Sequence, residues 1–383
     1  MKNPLHSLFG RFSSSRVGVL DIGDQFVKYV ALERKEDMHV LDAGIEEVDI
    51  FALHRTKEII EQILGRPSFS HVPIVCSFPP VVYRADISIV HITRKKKGSI
   101  EGMEESSIVK QMIEEASKSV CDRLAEQTGI ARENFQEVHV VPLRFIVDGY
   151  EVKHLRKIQG VNIEGVFLCT FFLSSHFRLL SQIREITGRS RCFMLHETQA
   201  LHEFAKTRQE SRIVIDIGEY SSLLAVTTPS GLSCVGFVRE GGMGATYALE
   251  KEFGLRENTA RELKMRYMRG ELSEEARSRI RSTIAPHVHQ MVVSWRDELE
   301  RMGLSLPLNV SLMGGESLMP EIQEEILEKG AFDSLPLAGP SASVSVIVPK
   351  DLGVSAAFPR KLDPIFTPPI LLAYAFSRAN KSY

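Results

Sequence analysis

Three classes of protein are disfavoured by what this sequence lacks. Its 47 Lys and Arg residues are balanced by 49 Asp and Glu residues, so the formal net charge is −2 and there is no basic excess for nucleic-acid binding. No apolar run reaches the roughly 18 residues that a transmembrane helix needs. The first 16 residues also lack the long apolar segment of a secretory signal.

Paired cysteines are lacking as well. The five cysteines are spread along the chain and never occur as Cys-x-x-Cys, the spacing of many zinc and redox sites. Scattered cysteines in strand-like and helix-like patterns are typical of small buried residues in a reducing compartment. A P-loop, a Gly-x-Ser-x-Gly elbow and a His-Glu-x-x-His pair are also missing. We therefore expect a cytoplasmic protein that uses none of these motifs.

The chain is long enough for two domains. It has 383 residues, of which 43% are hydrophobic and 25% are charged. This composition is typical of a globular protein, and the length exceeds the size at which a single core usually divides. We expect two lobes of roughly 150–200 residues each.

One short pattern occurs twice, once in each half of the chain. Residues 18–30 read GVLDIGDQFVKYV, and residues 212–226 read RIVIDIGEYSSLLAV. Each copy has an apolar run, then Asp-Ile-Gly, then a second apolar run, which predicts a β-hairpin with glycine at its turn. A third segment, residues 310–326 (VSLMGGESLMPEIQEEI), predicts a strand that enters a helix through a Gly-Gly turn.

Hairpins of this kind suit a ligand that carries phosphate. Glycine lets the backbone approach closely enough for its N–H groups to face phosphate oxygens. The aspartate at the end of the buried strand can hold Mg²⁺ through water, because this cation keeps part of its hydration shell. A single Asp-x-Gly is usually an ordinary turn, so the prediction depends on the order and spacing of all three segments. Together they indicate two related halves around one nucleotide site.

The motifs resemble those of the actin, Hsp70 and sugar-kinase superfamily, and within it the bacterial FtsA and PilM proteins. The two hairpins are similar to the phosphate motifs of that superfamily, and the Gly-Gly turn is similar to its adenosine motif. Residues 137–172 (EVHVVPLRFIVDGYEVKHLRKIQGVNIEGVFLCTFF) resemble the SHS2 (1C) subdomain that is inserted in FtsA-type proteins. The resemblance implies an α/β, two-lobed actin-like ATPase fold (duplicated and ribonuclease H-like) with this subdomain inserted.

The same resemblance implies a site for ATP and Mg²⁺ between the lobes. Asp21 and Asp216 would hold the Mg²⁺ through water. Glu197 is a candidate neighbour of the attacking water, although a glutamate on a helix surface is the commoner case. The residues implied to bind nucleotide are Asp21, Gly23, Asp24, Lys28, Asp216, Gly218, Glu219, Tyr220, Ser221, Gly241, Gly242, Lys264, Gly314, Gly315 and Glu316.

Some of these positions depart from the family pattern. Asp24, Glu219 and Glu316 stand where the family usually has small or hydroxyl residues, and Arg261 stands where it commonly has a ribose-binding glutamate. Carboxylates beside a triphosphate repel it unless a metal ion lies between them. We therefore expect ATP binding with altered metal dependence and at most weak hydrolysis. The alternative is a cleft that has lost its nucleotide and survives in a scaffold protein.

The resemblance also implies a division of the chain. The expected parts are a tail at 1–15, a first lobe at 16–82 and 169–210, the inserted subdomain at 83–168, a second lobe at 211–244 and 303–383, and a helical subdomain at 245–302. In the tail, Leu5, Leu8, Phe9 and Phe12 lie close to one helical stripe, which favours either a weak contact with a membrane surface or packing on the first lobe.

Two assembly functions follow from the resemblance. FtsA proteins form filaments and link the tubulin-like FtsZ to the inner face of the cytoplasmic membrane during division. PilM proteins form rings or filaments on the tail of an inner-membrane pilus protein, and Pro79-Pro80 before the insertion favours this alternative. The Val-Asp-Gly turn of the insertion favours the FtsA type, which we rank first. A small-molecule kinase of the same fold ranks last, because no segment matches a sugar pocket.

Overall fold

The structure is a computed structural model that describes residues 14–50, 52–188, 191–303, 305–307, 309–337, 343–355 and 363–379. The apolar stripe expected at residues 5–12 lies outside these ranges. In the described part of the chain, no helix is long and apolar enough to cross a membrane.

The strands of the described residues are numbered here in chain order. They are β1 (Arg16–Ile22), β2 (Phe26–Arg34), β3 (Met38–Glu47), β4 (Ile74–Ser77), β5 (Tyr83–Ser99), β6 (Phe135–Val147), β7 (Tyr150–Val152), β8 (Gln159–Leu173), β9 (Cys192–Met194), β10 (Arg212–Ile217), β11 (Ser222–Thr228), β12 (Gly231–Val238), β13 (Asn309–Met313) and β14 (Ser343–Val346).

The α-helices of the same residues are numbered separately. They are α1 (Leu53–Leu64), α2 (Gly102–Thr128), α3 (Phe177–Thr187), α4 (Glu197–Ala205), α5 (Met243–Phe253), α6 (Glu257–Met268), α7 (Glu274–Arg301), α8 (Pro320–Leu327) and α9 (Thr367–Ala379).

Two five-stranded sheets share one topology. The first has the order β3-β2-β1-β4-β9 and the second has the order β12-β11-β10-β13-β14. In each sheet the first three strands form an antiparallel meander, and the last two run parallel to the central strand. The central strands, β1 and β10, are the apolar runs that precede Asp-Ile-Gly. The repeat in the sequence is therefore a repeat of the whole sheet.

The two sheets are joined by a shared hydrophobic core. This core contains Val19 of β1, Leu201 of α4, Leu223 of β11 and Ile370 of α9, each with at most 4% of its surface exposed. Because α4 and α9 contribute side chains to the same core as both sheets, they fix the lobes against one another.

A third sheet lies between β4 and β9 in the sequence. Its order is β5-β8-β6-β7, all antiparallel, and α2 packs on one face. The helix buries Ile108, Met112, Ala116, Val120 and Leu124, apolar residues whose four-residue spacing in the sequence predicts one face of a helix. The sheet continues to Leu173, five residues beyond the expected boundary at 168, because β8 is one unbroken strand.

One segment of this sheet differs from what its sequence predicts. Residues 93–99 (TRKKKGS) have the composition of a basic turn, but they belong to β5, where the register with β8 shifts between Thr93 and Gly98. The Val-Asp-Gly turn lies where the sequence predicts it, at Asp148-Gly149 between β6 and β7, and both residues have positive φ (48° and 88°).

Candidate functional site

The two Asp-Ile-Gly hairpins have the same turn. Gly23 N–H donates to the carbonyl of Phe26 at 2.8 Å, and Gly218 N–H donates to the carbonyl of Ser221 at 2.9 Å. Each turn therefore has two central residues, first an acid and then a longer polar side chain. The two turns face each other at one end of a cavity of about 530 Å³, a size common for small-ligand sites.

The inner aspartates of the hairpins have different partners. Asp21 lies opposite Lys28 in the β1–β2 ladder, and their Oδ2 and Nζ atoms are 3.1 Å apart. Asp216 lies opposite Leu223 in the β10–β11 ladder and has no cation there. Its neighbour is Glu197, the first residue of α4, which comes from the other lobe.

Glu197 and Asp216 form a carboxyl pair. Burial, followed by the negative charges of Asp216 and Asp21, raises the pKa of Glu197 well above its ordinary value. Burial also raises the pKa of Asp216, against the attraction of Lys28. Glu197 Oε1 and Asp216 Oδ1 are buried and receive no hydrogen bond from an N–H or O–H group of the described residues. A single proton held between the two carboxyls would satisfy both oxygens. Glu197 is thus part of the site and not a surface residue.

Lys28 is the cation of this cluster. Burial opposes its charge, but the carboxylates of Asp21, Asp216 and Glu197 outweigh burial and raise the pKa of Lys28. One ammonium group therefore serves three carboxyls, and the pKa values of two of them, Glu197 and Asp216, are raised.

The outer acids at the two turns also differ. Burial, together with the negative charge of Glu219, raises the pKa of Asp24 to about 6. Asp24 Oδ1 is buried and has no hydrogen-bond donor among the described residues. Glu219, in contrast, lies 3.5 Å from Lys264 Nζ and 3.8 Å from Arg261 Nε. Of the two turn carboxyls, only Glu219 is neutralised by cations of its own lobe.

Lys264 lies behind the cavity wall. It is fully buried, and its Nζ donates to Glu316 Oε1 at 2.8 Å and to the carbonyl of Gly242 at 3.0 Å. Burial raises the pKa of Glu316 despite the attraction of Lys264, and the charge of Glu219 adds to this rise. The lysine expected to contact the nucleotide is therefore held by protein groups.

Glycine is required where two turns meet the second hairpin. Gly314 has φ 89°, and a Cβ atom there would lie 2.4 Å from Asp216 Oδ1. A Cβ on Gly241 would lie 2.4 Å from the carbonyl oxygen of Gly218. Both distances are shorter than a van der Waals contact, so a side chain at either position would displace the second hairpin.

Ten of the fifteen residues predicted to bind nucleotide line the cavity. These are Asp21, Gly23, Asp24, Lys28, Asp216, Gly218, Glu219, Ser221, Gly315 and Glu316. The other five support its wall or rim: Tyr220, Gly241, Gly242, Lys264 and Gly314. Tyr220 is at the rim, where 40% of its surface is exposed.

Part of the remaining lining comes from residues that the sequence analysis does not name. Ser77 ends β4 and Phe78 follows it, and α6 contributes Asn258, Glu262 and Met265. The only sequence signal among the missed segments is Pro79-Pro80 after a strand. On α6 the residue that follows Arg261 is acidic and lines the cavity, one position after the place where the family pattern has its glutamate.

The hairpin tips are tied together across the cleft. Gln25 Nε2 donates to the hydroxyl of Tyr220 and, at 3.1 Å, to Glu257 Oε1. Arg261 donates to Gln25 Oε1 and to Glu257, and its guanidinium lies 5.2 Å from the ring centroid of Phe26. These contacts connect β1–β2 of the first lobe to β10–β11 and α6 of the second. They close the cavity above the turns.

The cavity has a large excess of acid. The carboxyl groups in its wall are Asp21, Asp24, Glu47, Glu197, Asp216, Glu219, Glu262 and Glu316, and the cationic groups are Lys28, Arg261 and Arg269. Within the described ranges, no three acidic, histidine or cysteine side chains converge so as to hold a bare metal ion. Hard carboxylate oxygens without donors suit Mg²⁺ in a shell completed by water and ligand oxygens.

Comparisons with known proteins support the fold. No protein-family model and no curated protein matches the sequence. A chain of the PilM–PilN type IV pilus biogenesis complex matches the structure with a TM-score of 0.66 and 15% identity, over 97% of this chain and 100% of that chain.

Two further solved structures are similar over most of their length. EutJ, an ethanolamine utilization protein of Carboxydothermus hydrogenoformans, has a TM-score of 0.49 and 10% identity over 97% of this chain and 93% of its own. MreB 5 of Spiroplasma citri bound to AMPPNP has a TM-score of 0.44 and 9% identity over 96% of each chain. The protein has the actin-like ATPase fold, which confirms the predicted fold class.

Proposed function

We propose that the protein binds a nucleoside triphosphate together with a divalent cation between its lobes and acts as an assembly protein of the PilM type. The observation that carries this proposal is the pair of identical turns facing each other across one cavity. The proposal agrees with the resemblance of both hairpins to phosphate motifs and with the actin-like fold.

The residues of the cavity have distinct parts in this proposal. The turns at Gly23 and Gly218 bring backbone close to the phosphates, and Lys28 lies among the inner acids. Asp21 and Asp216 face the cation through water. The nucleoside lies towards α6 and Gly315, where the wall is made of mixed polar and apolar groups.

The acid excess makes the cation essential. A triphosphate carries about four negative charges, and the wall adds eight carboxyl groups against three cationic groups. Mg²⁺ supplies positive charge to the phosphates and to the carboxyl oxygens that otherwise hold protons. We infer that binding without Mg²⁺ is weak and that Asp24 and Glu219 are accommodated only in its presence.

Hydrolysis is slow in this proposal. Burial and the charge of Asp216 raise the pKa of Glu197 well above its ordinary value, so a smaller fraction of this carboxyl is in the ionised form that accepts a proton from an attacking water. The bound nucleotide then acts as a switch on lobe closure, through contacts such as Gln25–Tyr220, more than as a substrate.

The PilM type is favoured by the extent of the structural likeness, which spans 97% of this chain and the whole of the matched pilus-complex chain. Its partner would be the cytoplasmic tail of an inner-membrane pilus protein. The FtsA type is the second candidate, because β6 and β7 meet at the Asp148-Gly149 turn on which that resemblance was based. In both, the chain works as a self-associating protein near the inner face of the membrane.

A titration with a fluorescent ATP analogue tests the nucleotide part of the proposal. We expect micromolar binding in Mg²⁺ and at least tenfold weaker binding in EDTA. Lys28→Gln should remove most of the binding, whereas the exposed Lys35→Gln should leave it unchanged. No binding at millimolar nucleotide with Mg²⁺ would mean that the cleft is vestigial and that the chain is a scaffold.

Partner capture tests the assembly part. The purified chain is mixed with a peptide of the pilus protein's cytoplasmic tail and, separately, with FtsZ. Binding of the tail peptide alone supports the PilM type, and binding of FtsZ alone replaces it with the FtsA type.

A further inference from the structure

A second cavity lies on the far side of the nucleotide cavity's wall. Its volume is about 370 Å³, and it lies between the start of β5, the end of α2, β12 and the end of α7. Pro80, His196 and Leu223 line both cavities. One layer of side chains therefore separates them, and a ligand in the second cavity touches both lobes and the inserted sheet.

The acids of this second cavity are already neutralised. Asp86 Oδ2 accepts from Arg123 Nε at 2.6 Å. Glu298 is paired with Arg301 and also accepts a hydrogen bond from the backbone N–H of Phe237. Neither carboxylate is available as a partner for another cation in the cavity.

Two arginines remain without such a partner. Arg84 and Arg239 line the cavity, and in the described part of the chain no carboxylate lies within ion-pair distance of either. Burial, followed by the positive charge of Arg239, lowers the pKa of Arg84 to about 10. Arg84 is thus still charged at neutral pH, and two like charges, one partly buried and one exposed, line the same cavity.

Arg84 is also held in place. Its guanidinium carbon lies 4.2 Å from the ring centroid of Phe237, a cation–π contact that fixes the plane of the group. A guanidinium held by stacking presents its N–H fork to the cavity without losing further side-chain freedom when an anion binds.

We propose that this second cavity binds a doubly charged oxyanion, a phosphate group, between Arg84 and Arg239. A phosphate carries about −1.5 to −2 charges at neutral pH, which matches two arginines, whereas one carboxylate neutralises only one of them. The cavity exceeds the size of a phosphate ion, and Leu124 and Val235 give it apolar walls. Both free phosphate and a phosphate monoester with a small apolar group satisfy this chemistry.

Calorimetric titration at constant ionic strength tests the proposal, with inorganic phosphate and phenyl phosphate as the two probes. We expect binding of at least one probe by the parent chain. Tighter binding of phenyl phosphate assigns the site to a monoester, and equal affinities assign it to free phosphate. Failure of both probes to bind overturns the proposal.

Variants locate the bound anion. Arg84→Gln and, separately, Arg239→Gln should each weaken binding by about tenfold or more, because each removes a charge-assisted hydrogen bond. Arg55→Gln, an equal charge change at an exposed position of α1, should have no effect. Arg239 is exposed, so its substitution tests the proposal even where Arg84→Gln unfolds the chain.

Lys28→Gln separates the two cavities. It removes the cation of the nucleotide cavity, and we expect phosphate binding to persist in this variant. Loss of binding in Lys28→Gln with retention in Arg84→Gln and Arg239→Gln would place the anion in the first cavity and overturn the proposal. This outcome is independent of whether nucleotide binds.

Discussion

The two hairpins have the same backbone turn, but they differ in which of their acidic side chains has a cation beside it. In the first lobe the inner acid, Asp21, is paired with Lys28, whereas the turn acid, Asp24, has no ion pair among the described residues and is attracted by Lys28 too weakly to offset burial. In the second lobe the inner acid, Asp216, has Leu223 in the place of the lysine, and the turn acid, Glu219, has cations nearby. The unneutralised acids therefore lie diagonally across the cleft.

This difference shows that the two halves of the fold share the geometry of their turns but not the charges of their side chains. Hydrogen bonding fixes the turns, because Gly23 and Gly218 donate in the same way. Charge balance is instead reached between the lobes, where Lys28 serves Asp216 and Glu197 as well as Asp21. Neither hairpin neutralises all of its own carboxyl groups. The protonation of the cleft therefore depends on how closely the two lobes approach each other.

The largest effect should come from removing a glycine beside the second hairpin. Gly314→Ala should lower the free energy of unfolding by about 3–5 kcal/mol, since it adds a strained φ and a contact with Asp216. Gly353→Ala, at φ 77° but with open space around its Cβ, should cost only about 1 kcal/mol. Chemical denaturation measures both. Equal losses would mean that strain alone matters and that the turn does not support the hairpin.

The next effect concerns the shared cation. Lys28→Gln should cost about 2–4 kcal/mol at pH 8 because three carboxyls lose their counter-charge. The loss should shrink at pH 5, because the raised pKa values of Glu197 and Asp216 let these two carboxyls take up protons as the pH falls. Lys35→Gln, whose side chain is 65% exposed beside Glu33, should change stability by less than about 0.5 kcal/mol. A loss that is the same at both pH values would argue against the shared-cation account.

Asp24→Asn should have the opposite sign. The pKa of Asp24 in the folded chain, about 6, is above its ordinary 3.8, so the folded state binds this proton more tightly than the unfolded state. Its contribution to stability is therefore lost as pH rises from about 4 through 6. The variant should be more stable than the parent by about 2 kcal/mol at pH 8 and no more stable at pH 3.5.

Unfolding curves across this pH range measure the difference, with the exposed Asp37→Asn as the matched control. A stability gain in Asp24→Asn that does not depend on pH would contradict the assignment of the penalty to an ionised Asp24.

The smallest effect should come from losing the hydrogen bond between Gln25 and Tyr220 at the hairpin tips. Tyr220→Phe removes the hydroxyl that accepts from Gln25 and should cost at most about 1 kcal/mol of stability. Its effect should be clearer in kinetics, as a two- to fivefold faster release of a fluorescent ATP analogue by stopped flow. Tyr247→Phe, with 58% of the tyrosine exposed, should release the analogue at the parent rate.

The sequence predicted the elements that local pattern determines. Apolar runs around Asp-Ile-Gly identified both hairpins, and the spacing from Ile108 to Leu124 identified the buried stripe of α2. The candidate site was predicted where a motif carries it. The motif also predicts that Lys264 contacts the nucleotide, whereas the structure shows its ammonium group buried and bound to Glu316. The sequence does not show in which direction a long side chain points from its helix.

Pairings between distant segments could not be predicted. Glu197 and Asp216 come from different elements and meet only when α4 packs on the second sheet. The sequence alone therefore favoured the commoner case, a glutamate on a helix surface. The same holds for Gln25 and Tyr220, which are 195 residues apart. Arg84 and Arg239 carry no motif at all, and only the closed structure brings them to one cavity.

The central claim is that a bound cation lowers the raised pKa values of the diagonal acids, Asp24 and Asp216, and so displaces protons from them. Calorimetry of Mg²⁺-loaded ATP binding at pH 6, in buffers of different ionisation enthalpy, counts the protons exchanged. The account predicts net proton release on binding at this pH, and a smaller release in Asp24→Asn. Binding without proton release, or with the same release in both chains, would contradict it.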